Sequence, residues 1–189
     1  FTKDGKTMYF TRNNYLDGKK GKNENKITLI KIYKATLAEN KWTNITELPF
    51  NSNNYSTGHP VLSPDEKTLY FASDMPGTLG QSDLFKVKIN EDGSFGTPQN
   101  LGNTINTEGK EQFPQITEDN ILYFSSNGHI GLGGLDVFMV DLKTNNQIEN
   151  VGKPVNSEKD DFAFSFNTTK NVGFFSSNRT GADNIYQAN

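Results

Sequence analysis

No cysteine occurs in the 189 residues, which excludes a disulfide framework, a thiolate metal site and a thiol nucleophile. Histidine is nearly as scarce: a zinc site using His59 and His129, the only two, would still lack an assigned third ligand. Lys and Arg number 19 against 22 Asp and Glu, a net charge of -3. Nucleic acid is therefore disfavoured as the main partner, because phosphate binding relies on clustered cations. No apolar run approaches the roughly 20 residues needed to span a bilayer. Sustained helical periodicity with caps is absent, as are a G-x-S-x-G elbow and an H-E-x-x-H helix. Phe1 lies inside an apparent repeat, so the chain is expected to be a piece of a longer polypeptide, with any targeting segment expected upstream.

What the sequence does contain is repetition. Tyr9-Phe10, Tyr70-Phe71, Tyr123-Phe124 and Phe174-Phe175 recur at about 50 to 60 residues, the length of a four-stranded propeller blade. A second anchor follows each pair: KIYKA at 31–35, DLFKV at 83–87, DVFMV at 136–140 and NIYQA at 184–188. The fold class is accordingly all-β, a β-propeller of four-stranded antiparallel blades. The blades are expected at about 1–49, 59–102, 113–154 and 163–189. Four repeats are visible, in a ring expected to have five or six blades and to borrow a strand from before Phe1.

Within each unit, 59–63, 113–117 and 163–167 are expected to form the innermost strand, A. TLYFAS, ILYFSS and VGFFSS alternate apolar residues and form strand B; the second anchor is strand C. The outermost strand D is expected at 42–48, 96–102 and 148–154, where an edge tolerates Pro98. Ser63-Pro64-Asp65 suits a type I turn, and Asp4-Gly5 supplies comparable chemistry. The small residues Ala72, Ser73, Ser125, Ser126, Ser176 and Ser177 are expected where inner strands converge and bulk would separate the sheets.

These units resemble TolB-type, WD40-like β-propeller repeats, more narrowly those of Bacteroidota OmpA-family envelope proteins. They are most similar to the PorE-like proteins associated with the type IX secretion system. The resemblance rests on 58–87, 100–138 and 160–186, where turn, aromatic pair, Ser-Ser-Asn loop, Gly-rich loop and Asp-bearing strand recur in order. Lys31 replaces the aspartate found at Asp83 and Asp136, and Asn184 stands there in the fourth unit. The resemblance implies a periplasmic location at the outer membrane and a scaffold linking secretion or gliding machinery to peptidoglycan. Peptidoglycan would be reached only through a domain outside this chain.

Candidate chemistry is sparse. The run GHIGLGG at 128–134 is followed by a strand, so it reads as a hairpin connection whose glycines permit positive φ, not as a phosphate cradle. Asp83 and Asp136 read as caps accepting backbone amides, since no alternating-acid calcium loop is present. Asp160 and Asp161 are neighbours in extended backbone and would point apart. Trp42 reads as covering a blade edge. The lysine-rich run at 17–26 reads as a solvated hairpin tip, or as a contact for an acidic partner or lipid headgroups.

Two roles follow. In the first, a rigid noncatalytic module presents adaptable polar, Gly-rich loops to envelope proteins, with Arg12, Tyr55, His59, Asp74, Glu111, His129, Asp161 and Arg179 as candidate contacts. No cofactor, metal, nucleic acid or membrane span is expected. In the second, His59, Arg12, Arg179 and His129 line a channel mouth that takes a glycan or small anion, as a binding or catalytic propeller.

Overall fold

The computed structural model describes residues 1–16, 19–22, 26–144 and 147–188; residues 17, 18 and 23–25 of the lysine-rich run lie outside them. None of the described residues is helical. The first sheet consists of β1 (Thr7–Asn13), β4 (Ile30–Ala38) and β5 (Lys41–Glu47) in the order β1-β4-β5, and between β1 and β4 the chain forms a separate two-stranded sheet of β2 (Tyr15–Leu16) and β3 (Lys19–Lys20). The second is β6 (Thr57–Leu62), β7 (Thr68–Ser73), β8 (Asp83–Lys88) and β9 (Gln99–Asn100). The third repeats it as β10 (Glu111–Ile116), β11 (Ile121–Ser126), β12 (Asp136–Asp141) and β13 (Glu149–Asn150). The fourth is β14 (Asp161–Asn167), β15 (Val172–Ser177) and β16 (Asn184–Ala188). All pairings within these sheets are antiparallel. The inner strands β1, β6, β10 and β14 contact one another in sequence, which makes the four sheets consecutive blades of a β-propeller.

The aromatic anchors occupy equivalent strand positions, although Phe10 is half-buried where Phe71, Phe124 and Phe175 are buried. Phe10 opposes Tyr33, Phe71 opposes Phe85, Phe124 opposes Phe138 and Phe175 opposes Tyr186. Each pair is stacked, with ring centres 5.8, 5.9, 6.0 and 5.5 Å apart. Every blade-to-blade cluster draws on two neighbours. Ile32 of the first blade joins Leu69, Phe71, Phe85 and Val87 of the second. Leu84 joins Leu122, Phe124, Phe138 and Val140, and Val137 joins Phe164 and Phe175. Burying each such side chain stabilises the fold by about 1.5 to 3 kcal/mol, and no sheet could bury its own face alone. Ile185 occupies the same repeat position as Ile32, Leu84 and Val137. It is 78% exposed where they are 0% exposed, because no blade follows it among the described residues.

Three details differ from expectation. Strand A begins two residues early, at Thr57, Glu111 and Asp161. Its third residue bulges, with φ of 54° at His59, 53° at Phe113 and 53° at Ala163, and the register slips there in each blade. Strand D is full length only in β5; β9 and β13 shrink to two residues. Pro98 offers no amide before β9, and Gly102 and Gly152 turn the chain away with positive φ. The second serine at the end of strand B matters for its hydroxyl as well as its size: Ser73 Oγ donates to the Ser56 carbonyl and Ser126 Oγ to Glu111, each at 2.6 Å.

The turn opening strand B forms as its residues dictate. Ser63 Oγ donates to Asp65 Oδ1 at 2.6 Å, the Lys67 amide donates to the same oxygen, and the Thr68 amide donates to Ser63 Oγ at 3.0 Å. Donation from Ser63, then from the Lys67 amide, holds the Asp65 carboxyl below its ordinary pKa. Thr2 and Asp4 build the same turn in the first blade, with the same effect on Asp4.

Candidate functional site

The loops at one end of the blades interlock, starting from a residue the motif search passes over. Asn51, Asn106 and Asn156 each follow an apolar residue and precede Ser or Thr, in the stretches 50–52, 105–107 and 155–157. Each lies on the loop between blades and behaves as an extra strand partner for the blade behind. Asn106 Nδ2 donates to the Leu84 carbonyl at 3.0 Å and its Oδ1 accepts from the Leu84 amide at 2.8 Å. Asn51 does the same for Ile32 and Asn156 for Val137. A carboxamide is the one short side chain that copies a peptide group in both directions. Its signal in the sequence is the recurring apolar-Asn-Ser/Thr triplet.

The loop between strands B and C lies on this same segment. Asp83 accepts from the Leu79 and Gly80 amides, and Asp136 from the Leu132 and Gly133 amides, so both aspartates cap the loop ahead of strand C. Side chains at Gly80 or Gly133 would overlap backbone atoms of 107–108 or 157–159. The glycines of 128–134 are therefore needed for close approach; none of them has the positive φ expected from sequence. Backbone bonds weld the blades here too: the Glu111 amide donates to the Ser82 carbonyl at 2.8 Å and the Asp161 amide to the Leu135 carbonyl at 2.6 Å. These bonds hold the loops to one another.

Glu111 and Asp161, expected on the accessible loop face, are 0% exposed. Glu111 accepts from the Thr107 amide and hydroxyl at 2.8 and 2.7 Å and from Ser126. Asp161 accepts from the Ser157 amide and hydroxyl at 2.6 and 2.7 Å and from Arg179 Nη2 at 2.6 Å. Both carboxylates are consumed in organising the loop. Asp160 points elsewhere, accepting from the Leu135 amide and from Asn178 Nδ2.

Arg179 and His129 play one part in two blades. Arg179 donates to the Val155 carbonyl at 2.5 Å, and its guanidinium carbon lies 4.9 Å from the ring centres of both Phe175 and Tyr186. His129 Nε2 donates to the Ile105 carbonyl at 2.8 Å beside Phe124 and Phe138. Ile105 and Val155 are equivalent, each preceding the loop asparagine. Tyr55 donates through its hydroxyl to the third equivalent carbonyl, that of Phe50, at 3.0 Å. Arg12 lies 4.2 Å from the Tyr33 ring centre in the first blade. Trp42 is on an exposed strand, in ring contact with Phe1.

His59 and Asp74 are the two sequence candidates that share a cavity. A cleft of about 220 Å³ is lined by Ser56, Gly58, His59, Asp74, Lys110 and Gln112 among others. The His59 ring stacks on Phe113 at 4.1 Å and its Nδ1 accepts from the Phe113 amide. Burial pushes His59 down to about 4, so it is neutral near pH 7. No group of three or more His, Asp or Glu side chains converges among the described residues.

Neither a protein-family model nor a curated relative matches the sequence. Solved structures do match in fold. TolB from Acinetobacter baumannii aligns with a TM-score of 0.59 at 14% identity, covering 97% of this chain and 39% of that one. A puromycin-hydrolyzing peptidase of Mycobacterium tuberculosis aligns with a TM-score of 0.53 at 16% identity, covering 85% of this chain and 23% of that one. An alpha-L-arabinofuranosidase from Lactobacillus brevis gives 0.52 at 13% identity, covering 92% and 62%. The chain thus spans less than two thirds of each. At such identities the likeness shows the propeller fold, shared by proteins of different activities.

Proposed function

We propose that this chain is a noncatalytic, TolB-like interaction module, a rigid propeller segment whose interlocked loop face docks partner proteins. The observation that carries the reading is a set of apolar side chains held outward by fixed loops: Leu79, Ile130 and Leu132 are 52%, 97% and 46% exposed. Leu79 and Leu132 occupy the same repeat position, and the capped aspartates and tightly packed glycines beneath them keep them from folding back. Apolar anchors on a stiff frame lose little entropy on binding. Nearby exposed charges are of both signs, with Glu108 and Lys110 on one loop and Glu158 and Lys159 on the next. That mixture suits a protein surface better than an anionic bilayer.

The finer reading, supported by the repeat motifs, is a periplasmic scaffold among envelope proteins, linking outer-membrane secretion or gliding machinery to peptidoglycan through other domains. Affinity capture from the envelope of a Gram-negative host tests it, with native chain beside an Ile130→Asp/Leu132→Asp variant. A defined envelope protein retained by the native chain and lost by an equally stable variant is the expected result. Equal recovery by both, or recovery of no envelope protein, overturns it.

A further inference from the structure

The loop that follows strand B carries a clamp in three blades, and one of the three is built differently. Asn127 Oδ1 accepts from the Lys110 amide at 2.7 Å, and Asn178 Oδ1 accepts from the Asp160 amide at 2.9 Å. Asp74 Oδ1 accepts from the Ser56 amide at 2.6 Å in the same way. In the fourth blade the clamp closes on itself, because Asn178 Nδ2 donates to Asp160 Oδ2 at 2.9 Å. In the second blade the carboxylate leaves an acceptor in place of that donor. Asp74 Oδ2 has no hydrogen-bond partner among the described residues.

The residue that the next blade contributes to this cleft also differs. Lys110 stands where the next blade has Asp160, whose two oxygens are engaged by the Leu135 amide and by Asn178. The Lys110 ammonium has no partner among the described residues. It lines the same cleft as Asp74, yet the two do not form an ion pair. The lining of the cleft differs from that of the next blade as well. One blade on, the position of Gln112 is taken by Phe162, which packs against Phe113 with ring centres 5.3 Å apart. Gln112 instead leaves the cleft open and donates to Ser82 Oγ at 3.3 Å.

We infer that this cleft binds a small zwitterion of the α-amino-acid or free-dipeptide class, its ammonium on Asp74 and its carboxylate on Lys110. The remaining lining fits that class. Ser56, Ser73, Ser82, Gln81 and Gln112 offer neutral hydrogen bonds, and Ile30 and Ala72 give a small apolar surface. A volume of about 220 Å³ falls below the range of about 300 to 1,000 Å³ typical of drug-sized ligands. A ligand bearing a single charge would leave either the carboxylate or the ammonium unpaired. This site is independent of the apolar anchors, so the docking reading can fail without it and the reverse.

The test is titration of the ¹⁵N-labelled chain with L-alanyl-L-alanine, with its N-acetylated, C-amidated form and N-acetylglucosamine as comparisons. The free dipeptide is expected to give saturable amide shifts at Gly58, Ser73, Gln81 and Lys110, and the capped form to bind at least about tenfold more weakly. Asp74→Asn and Lys110→Met are each expected to weaken binding by a similar factor, and raised salt to weaken it further. Asp74→Asn installs the residue that closes the same clamp at Asn127 and Asn178, so it retains the Ser56 clamp; an unchanged melting temperature checks this. Equal binding of capped and free dipeptide, unaltered binding by folded Asp74→Asn, saturation of the same amides by the sugar, or no shift at tens of millimolar would each overturn the assignment.

Discussion

Asn156 and Val137 are joined twice: Asn156 Nδ2 donates to the Val137 carbonyl, and the Val137 amide donates to Asn156 Oδ1, both at 2.8 Å. Both residues are buried, at 1% and 0% exposure, so neither group of Val137 can turn to water. Asn156→Ala is expected to cost about 2 to 4 kcal/mol by leaving a buried amide and carbonyl unpaired, and Asn106→Ala a similar amount. Urea unfolding measures this. A loss under about 1 kcal/mol for both would show that the loop asparagines are not what joins the blades.

Gly133 and Gly77 make a contrasting pair. A β-carbon at Gly133 would overlap the carbonyl oxygens of Ser157 and Lys159, whereas Gly77 has open space around it and a φ of 96°. Gly133→Ala is expected to destabilise by about 2 to 3 kcal/mol through overpacking against backbone, and Gly77→Ala by about 1 kcal/mol through backbone strain alone. Thermal unfolding of both variants would reveal the order, and a reversed order would remove the argument for close approach.

The burial that pushes His59 from its ordinary 6.5 down to about 4 implies a pH dependence. The unfolded chain takes up the proton first as pH falls, so the neutral folded histidine contributes fully above about pH 6.5. That contribution is lost progressively between about pH 6.5 and 4, by an amount on the order of 3 kcal/mol. His59→Asn tolerates the φ of 54° and removes the titration. Stability profiles of the two proteins should converge in slope above pH 6.5 and diverge below it; parallel profiles would contradict the assignment.

Val137 and Ile185 occupy one repeat position with opposite surroundings, 0% and 78% exposed. Val137→Ala should cost about 2 kcal/mol, and Ile185→Ala should stay within about 0.5 kcal/mol of the parent. Denaturant midpoints decide, and a comparable loss at Ile185 would mean that its face is covered in solution.

The register of the blades was legible because its determinants are local and repeated. Phe71 and Phe85, or Phe124 and Phe138, announce themselves through a period of two and a constant distance to the next turn. The side of the sheet each residue faces then follows from alternation. The bulge at His59, Phe113 and Ala163 was not legible, because three unlike side chains share one φ and only backbone packing between inner strands imposes it. The pairing of Asn106 with Leu84 was missed for a related reason: the partners are 22 residues apart, and the triplet around Asn106 looks like ordinary loop composition.

The sequence by itself determined the order and pairing of the strands that build the blades, since these depend on apolar alternation, turn chemistry and repetition along the chain. Only the tertiary structure decided which polar groups remain available. Glu111 and Asp161 read as surface carboxylates but are sealed in by neighbouring loops, while Asp74 and Lys110 keep free charges across an open cleft. The physical reason is that desolvation and hydrogen-bond satisfaction are set by atoms of adjacent blades, which no local pattern of residues records.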